Sequence, residues 1–201
     1  MHAKWCMQNG IGPLVALARK GPAEPAEQMR YAAYALSNLA VNHPDNQEAI
    51  AKAGGIEPLV ALARAATTAE QKEWAALALS RLAAFNVANK VAISKAGGIG
   101  VLVTLAREGT LKQKRNAARA LGNLAAKNVL GQQAIANAGG IQPLVALVRK
   151  GTTEQKGLAA YALGNLAANH TGNAVEIAKA GGIEALVAIA RDALDTLKET
   201  R

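Results

Sequence analysis

Gly54-Gly55-Ile56-Glu57-Pro58-Leu59-Val60-Ala61-Leu62-Ala63-Arg64 is the stretch from which the fold can be read, because the chain writes it repeatedly. Gly139-Gly140-Ile141-Gln142-Pro143-Leu144-Val145-Ala146-Leu147-Val148-Arg149 restates it almost unchanged. Gly97-Gly98-Ile99 and Gly181-Gly182-Ile183 open two more copies, and Asn9-Gly10-Ile11 is a degraded first one. The anchor isoleucines lie 45, 43, 42 and 42 residues apart. A period of this size marks a stacked array, in which each unit buries its apolar face against its neighbours.

Punctuation divides each unit into three helices. The first is short, as in Asn46 to Ala53, and stops at the Gly-Gly, where a glycine can take the left-handed conformation that closes a helix. Pro13, Pro58 and Pro143 stand two residues after the anchor isoleucine. They open the second helix, since a proline at its first position forfeits no hydrogen bond. The third begins at a Thr-x-x-Gln capping box: Thr68 with Gln71, Thr110 with Gln113, Thr152 with Gln155, with Pro25 standing for threonine in the first unit. From the arginine of the second helix to the Tyr34 register of the third, the intervals are 15, 13, 12 and 12, and from there to the next Gly-Gly always 20. Insertions are thus confined to the loop between the second and third helices, and the constant stretch holds the seams. The expected organisation is one domain over 1–201, with units at 1–43, 44–86, 87–128 and 129–170. A truncated capping unit spans 171–201, in which Asp192 to Arg201 extend the last helix with Leu194 and Leu197 on its inner face.

Apolar residues make up 51% of the chain and aromatics 3%, so Ala, Leu, Val and Ile build the core, and small side chains let helices approach closely. One cysteine, Cys6, excludes an internal disulfide and points to a reducing compartment. No apolar run approaches the ~18 residues of a membrane span, and Met1 to Gly10 carry no stretch of signal-peptide kind, so the expected location is intracellular, cytoplasmic or nuclear. The net charge is +9. Arg19, Arg64, Arg107, Arg149 and Arg191 share one register, and Lys52, Lys95 and Lys179 another. Both read as last turns of helices, where cations complement the macrodipole. His43 and His170 share a loop register three units apart, which excludes a common metal site and suits a left-handed cap. Cys6, beside Trp5, reads as a packing residue with no histidine to activate it. The Gly-Gly has no Gly-Lys-Ser/Thr after it, so it is not a phosphate loop. No catalytic constellation, metal site or cofactor is expected.

The period, the Gly-Gly-Ile-x-Pro-Leu-Val turn and the Ala-Leu-Gly/Ser-Asn-Leu-Ala ending of the third helix together resemble the armadillo repeat family over essentially the whole chain. The resemblance implies an all-α fold, a right-handed α-solenoid superhelix with three helices per repeat. Its third helices line a concave groove that takes an extended segment of a partner. Asn38, Asn123 and Asn165 fall at the armadillo asparagine position; Arg81 stands there in the second repeat. An amide offers donor and acceptor, so these asparagines suit either a peptide backbone or the backbone of the neighbouring repeat. Four residues earlier, where the importin-α pattern has tryptophan, stand Tyr34, Leu77, Arg119 and Tyr161. Three residues before that, Tyr31, Trp74, Asn116 and Leu158 replace an acidic residue. Both departures argue against a basic nuclear-import signal.

Arg30, Arg81, Arg115, Arg119 and Lys127, opposed by Glu73, have no helix-end reason to exist, so the alternatives are a basic groove strip and a solvated helix face. The expected peptide site is Arg30, Tyr34, Asn38, Arg81, Arg115, Arg119, Asn123, Tyr161 and Asn165, and the expected partner is an extended, acidic protein segment. No small-molecule substrate is expected, and nucleic acid is disfavoured because interleaved groove aromatics are missing. The rival function is a structural array or oligomer that associates through exposed ends or the convex side.

Overall fold

The computed structural model describes residues 10–19 and 26–199. Among these it has thirteen helices and no strand. In chain order they are α1 Gly12–Arg19, α2 Ala26–Leu39, α3 Pro44–Lys52, α4 Ile56–Ala65, α5 Ala69–Ala83, α6 Val87–Lys95, α7 Gly98–Glu108, α8 Leu111–Ala125, α9 Val129–Asn137, α10 Ile141–Lys150, α11 Thr153–Ala167, α12 Thr171–Lys179 and α13 Gly182–Glu199. Trp5, Cys6, Pro25 and the Gly21-to-Pro25 insertion lie outside the described residues, as does the Leu197 side chain.

The helices form three parallel stacks. Short helices α3, α6, α9 and α12 touch in series, as do α1, α4, α7, α10 and α13, and as do the third helices α2, α5, α8 and α11. The result is an all-α, right-handed solenoid. Small side chains make the third stack close: Ala33, Ala75, Ala76, Ala117, Ala118 and Ala159 are fully buried between neighbouring third helices or against the second ones. Leu79, Leu121, Leu59, Leu102, Leu144, Ile50, Ile93 and Ile135 fill the rest of one continuous core. Truncating any of these to alanine is expected to cost ~2–5 kcal/mol.

The two glycines of each pair are needed for different reasons. Gly54, Gly97, Gly139 and Gly181 lie at φ +72 to +76, the left-handed region. The second glycine has ordinary torsions but no room. A Cβ on Gly98 would sit 2.7 Å from Ile93 Cγ2 and 2.9 Å from Ile93 O. All three expected capping boxes form, at Thr68/Gln71, Thr110/Gln113 and Thr152/Gln155.

Three local expectations shift. Helices α4 and α10 start at the anchor isoleucine, so Pro58 and Pro143 are third in their helices. That position is still inside the first turn, where the N–H has no partner. His43 and His170 are N-caps at φ −130 and −134 whose side chains accept from Asn46 N and Asn173 N. The left-handed residues are one place earlier: Asn42, Phe85, Lys127 and Asn169. The last helix runs on to Glu199 as expected, yet Leu194 is 57% exposed and packs on no inner face.

The seams carry a second, polar order. Gln47 Nε2 donates to Ala40 O and reaches forward to Arg81 O, Lys90 Nζ reaches Ala126 O, and Gln132 Nε2 reaches Asn165 O and Ala168 O. Asn89 and Asn173 donate to Leu82 O and Leu166 O within their own unit and to Gln47 O and Gln132 O across it. Capping glutamines do likewise: Gln113 Nε2 donates to Ala69 O and Gln155 Nε2 to Leu111 O. Arg19 donates to Gly54 O, and Arg149 to Ala180 O and Gly181 O, so these arginines cap the short helix of the following unit as well as ending their own.

Candidate functional site

The third helices present two rows of polar side chains along one strip. The first row lies near their C-terminal ends, where the constant spacing puts one register position of each unit beside the next. Arg81 Nη1 donates to Asn38 Oδ1 at 2.8 Å and to Ser37 Oγ at 3.1 Å. Asn123 Nδ2 donates to Ser80 O at 2.9 Å, and Asn165 Nδ2 to Gly122 O at 3.2 Å. Each residue therefore bonds the position just before its counterpart in the preceding repeat. Arg81, out of pattern in the sequence, reaches across the seam as the asparagines do. Neither Asn123 nor Asn165 is sealed in; both are half-buried, and Asn38 is exposed. The amide nitrogens of Asn123 and Asn165, however, are committed to stacking, whereas Asn38 Nδ2 has no protein acceptor among the described residues. Of the carbonyl oxygens, Asn123 Oδ1 accepts from Tyr161 OH at 3.4 Å. Asn165 Oδ1 has no protein donor among the described residues.

The second row lies toward the N-terminal ends. Arg30 Nη1 meets Glu70 Oε2 at 2.7 Å and stacks on its neighbour Tyr31, 4.4 Å from the ring centre. Arg115 and Arg119 share Glu154, at 3.3 and 3.2 Å. The like charges one helical turn apart are thus bridged by a carboxylate of the next repeat. Glu70 and Glu154 occupy the same register, two residues after the capping threonine, so the sequence carries the signal for both. Glu73 does not oppose this row: it is buried, with its carboxylate 4.0 Å from Lys112 Nζ. Lys127 sits in the left-handed turn after α8, off the helix face.

Charge is unevenly balanced along the strip. Arg30 is matched by Glu70 and Glu27, whereas Arg81, Arg115 and Arg119 have one carboxylate, Glu154, among the described residues. Burial holds the Arg81 guanidinium below its usual pKa, and the charge of Arg119 adds to this, while Tyr34 acts in the opposite sense. The centre of the strip is therefore a region where positive potential converges from two repeats.

Aromatic surface flanks it. Tyr34 is 43% exposed and packs edge-on against Trp74 of the next repeat, ring centres 4.7 Å apart. Tyr161 is 46% exposed and lies against α8, where Gly122 makes way for it; a Cβ there would come within 2.6 Å of the ring. Leu77, at the same register, is buried in the wall, as is Asn116, whose Nδ2 donates to Glu73 O.

This order of helices, seams and strip agrees with a family-level match. The Armadillo/beta-catenin-like repeat model matches residues 86–126 and 128–168. The chain belongs to the armadillo repeat family. An engineered protein of known crystal structure is 35% identical with a TM-score of 0.83, over 89% of this chain and 71% of that one. A designed armadillo repeat protein in complex with the peptide (KR)4 is 26% identical with a TM-score of 0.83, over 91% and 75% of the two chains. A structure of computationally designed armadillo repeat proteins for modular peptide recognition is 28% identical with a TM-score of 0.82, over the same shares. No curated protein matches the sequence. Armadillo arrays are typically non-enzymatic scaffolds, and no group of His, Cys, Asp and Glu side chains suited to a metal occurs among the described residues. No helix among the described residues is long and apolar enough to cross a membrane.

Proposed function

We propose that this armadillo array is a binding scaffold whose third-helix strip takes an extended, acidic segment of a partner protein. One observation supports the reading: at the centre of the strip Arg81, Arg115 and Arg119 have one carboxylate partner among the described residues, Glu154, and the exposed rings of Tyr34 and Tyr161 flank them. The asparagines contribute little by themselves. With the Asn123 and Asn165 nitrogens engaged in stacking, Asn38 Nδ2 and Asn165 Oδ1 are the amide groups left for a peptide backbone, each worth ~1 kcal/mol. Ordering an extended segment costs ~2–5 kcal/mol, so charge-assisted bonds from the arginines and ring contacts must supply the affinity. The (KR)4 peptide of the designed relative is cationic. The same peptide here would face like charge at Arg81 and Arg119, which supports the opposite preference for this chain.

The test is fluorescence anisotropy with labelled (DE)4 and (KR)4 peptides at low and moderate salt. The expected outcome is preference for (DE)4, weakened by salt and reduced about tenfold or more by Arg81→Glu with Arg119→Glu. A wild-type preference for (KR)4, or a (DE)4 affinity unmoved by the double variant, overturns the reading.

The rival reading, association through an end surface, rests on α13. Ile183 and Val187 are 55% and 43% exposed, whereas Ile141 and Val145 at the same register are 4% and 2%. Sedimentation that shows mass rising with concentration, and abolished by Val187→Lys, would favour it.

A further inference from the structure

The seam between α4 and α7 differs from the others at several positions at once. One residue after the anchor isoleucine stand Glu57, Gln142 and Glu184, but α7 has Gly100. The next residue is Pro58 or Pro143 in the neighbouring helices and Val101 here. Thr104 replaces Ala61 and Ala146. An added Cβ on Gly100 would meet nothing within 4 Å. A cleft of about 330 Å³ opens at this place, floored by Ala63, Val101 and Leu105 and rimmed by Arg64, Lys72 and Thr104.

Its cations are free. Arg19 and Arg149 donate to glycine-turn carbonyls of the following repeat. Arg64 and Lys72 have no hydrogen-bond or ion-pair partner among the described residues. Arg107 is likewise unbonded, but its seam has Gln142 in place of the glycine. At the last seam a carboxylate stands beside the turn: Arg149 and Glu184 Oε2 both lie next to Gly181, without an ion pair between them, since Arg149 is bonded to Ala180 O and Gly181 O. The α4–α7 seam has the arginine, lying over Gly97 as its counterparts lie over theirs, and lacks the carboxylate. The first turn of α7 faces the same cleft through Gly97, Gly100 and Val101, adding the positive end of a helix dipole.

We propose that this cleft is a binding site for a small aliphatic carboxylate. Its headgroup is taken by the unpartnered Arg64 and Lys72, beside the turn that Glu184 flanks at the last seam, and its hydrocarbon part lies on Ala63, Val101 and Leu105. The volume suits a ligand at the small end of the usual pocket range. A guanidinium fork matches a carboxylate plane in a way that an ammonium alone does not. Thr104 Oγ, which donates to Gly100 O at 3.1 Å, can turn its proton to the ligand. The cleft belongs to second helices and the start of α5, apart from the third-helix strip, so it does not depend on what the strip binds.

The test is an amide-resolved NMR titration of the full chain with 4-methylpentanoate, with 4-methylpentanamide and with inorganic phosphate. Expected are saturable shifts at Gly97, Gly100 and Thr104 with the carboxylate alone. Arg64→Gln is expected to weaken binding about tenfold. Gly100→Glu, which supplies the carboxylate from within the chain, is expected to abolish it while leaving the helical circular dichroism intact. Should Arg64→Gln fail to fold, Gly100→Glu decides. Equal shifts with the amide, stronger shifts at these residues with phosphate, no saturable shift at all, or undiminished binding by Gly100→Glu each overturn the proposal.

Discussion

Gln113→Glu separates the two jobs of a capping glutamine. Its Oε1 accepts from Thr110 N at 3.0 Å, closing the cap of its own helix, while Nε2 donates to Ala69 O at 2.8 Å on the preceding third helix. Glutamate conserves the volume and the local acceptor. It removes the donor and sets an oxygen against the Ala69 carbonyl at a site where Gln113 is buried. Loss of one hydrogen bond is worth ~1 kcal/mol, and leaving buried polar groups unpaired adds ~1–3 kcal/mol, so the expected loss is ~2–4 kcal/mol at neutral pH. Thr110→Ala, which removes only the local cap, should cost ~1 kcal/mol. Urea unfolding followed by circular dichroism measures both. The introduced carboxyl also provides a pH arm. Protonated, it donates to Ala69 O as the amide does, so its folded pKa is raised above the unfolded ~4.3. The unfolded state then binds fewer protons above that value. The penalty is therefore absent below about pH 4.3 and grows as pH rises through the folded pKa. A variant as stable as wild type at pH 7, or one less affected than Thr110→Ala, would refute the idea that this glutamine ties repeats together.

Gly98→Ala should destabilise by ~1–3 kcal/mol in the same unfolding assay, because the new methyl meets Ile93 Cγ2, Ile93 O and Val60 Cγ2 at 2.7, 2.9 and 3.2 Å. Lys90→Gln should stabilise by about 1 kcal/mol, since Gln47 and Gln132 reach forward across their seams from the same register without burying a charge. Burial lowers the folded pKa of Lys90, so the unfolded state binds the extra proton over the interval up to its own pKa. Wild-type stability gains on the variant as pH rises through that interval, and melts at pH 7 and pH 10 should show the gap narrowing. Asn123→Ala should cost ~1–2 kcal/mol by leaving Ser80 O without its donor, and no measurable loss would remove the stacking role.

The period, the glycine turns and the capping boxes were legible in the sequence because each depends on contacts within a few residues. The left-handed position before each short helix was displaced by one residue. Histidine and asparagine both suit such turns, and Phe85 and Lys127, which share the conformation, carry no compositional hint of it. The strip was legible as a register but not as chemistry. Which amide atom of Asn123 faces inward is decided by Ser80, 43 residues away across a seam. The compensation of Arg115 and Arg119 is decided by Glu154 of the following repeat. Both partners recur at the array's own period, so comparing adjacent registers, rather than reading each helix alone, would have found Glu70, Glu154 and the Gln47–Lys90–Gln132 series.

Arg19 and Arg149 finish helices that are not their own: each supplies the donors for the short helix one unit further along. Loss of the first unit thus uncaps the second, and loss of the fourth uncaps the last. At the two seams between, Arg64 and Arg107 make no such bond among the described residues, so the outer joints of the array are latched by their upstream neighbour while the inner ones are held by bonds running both ways.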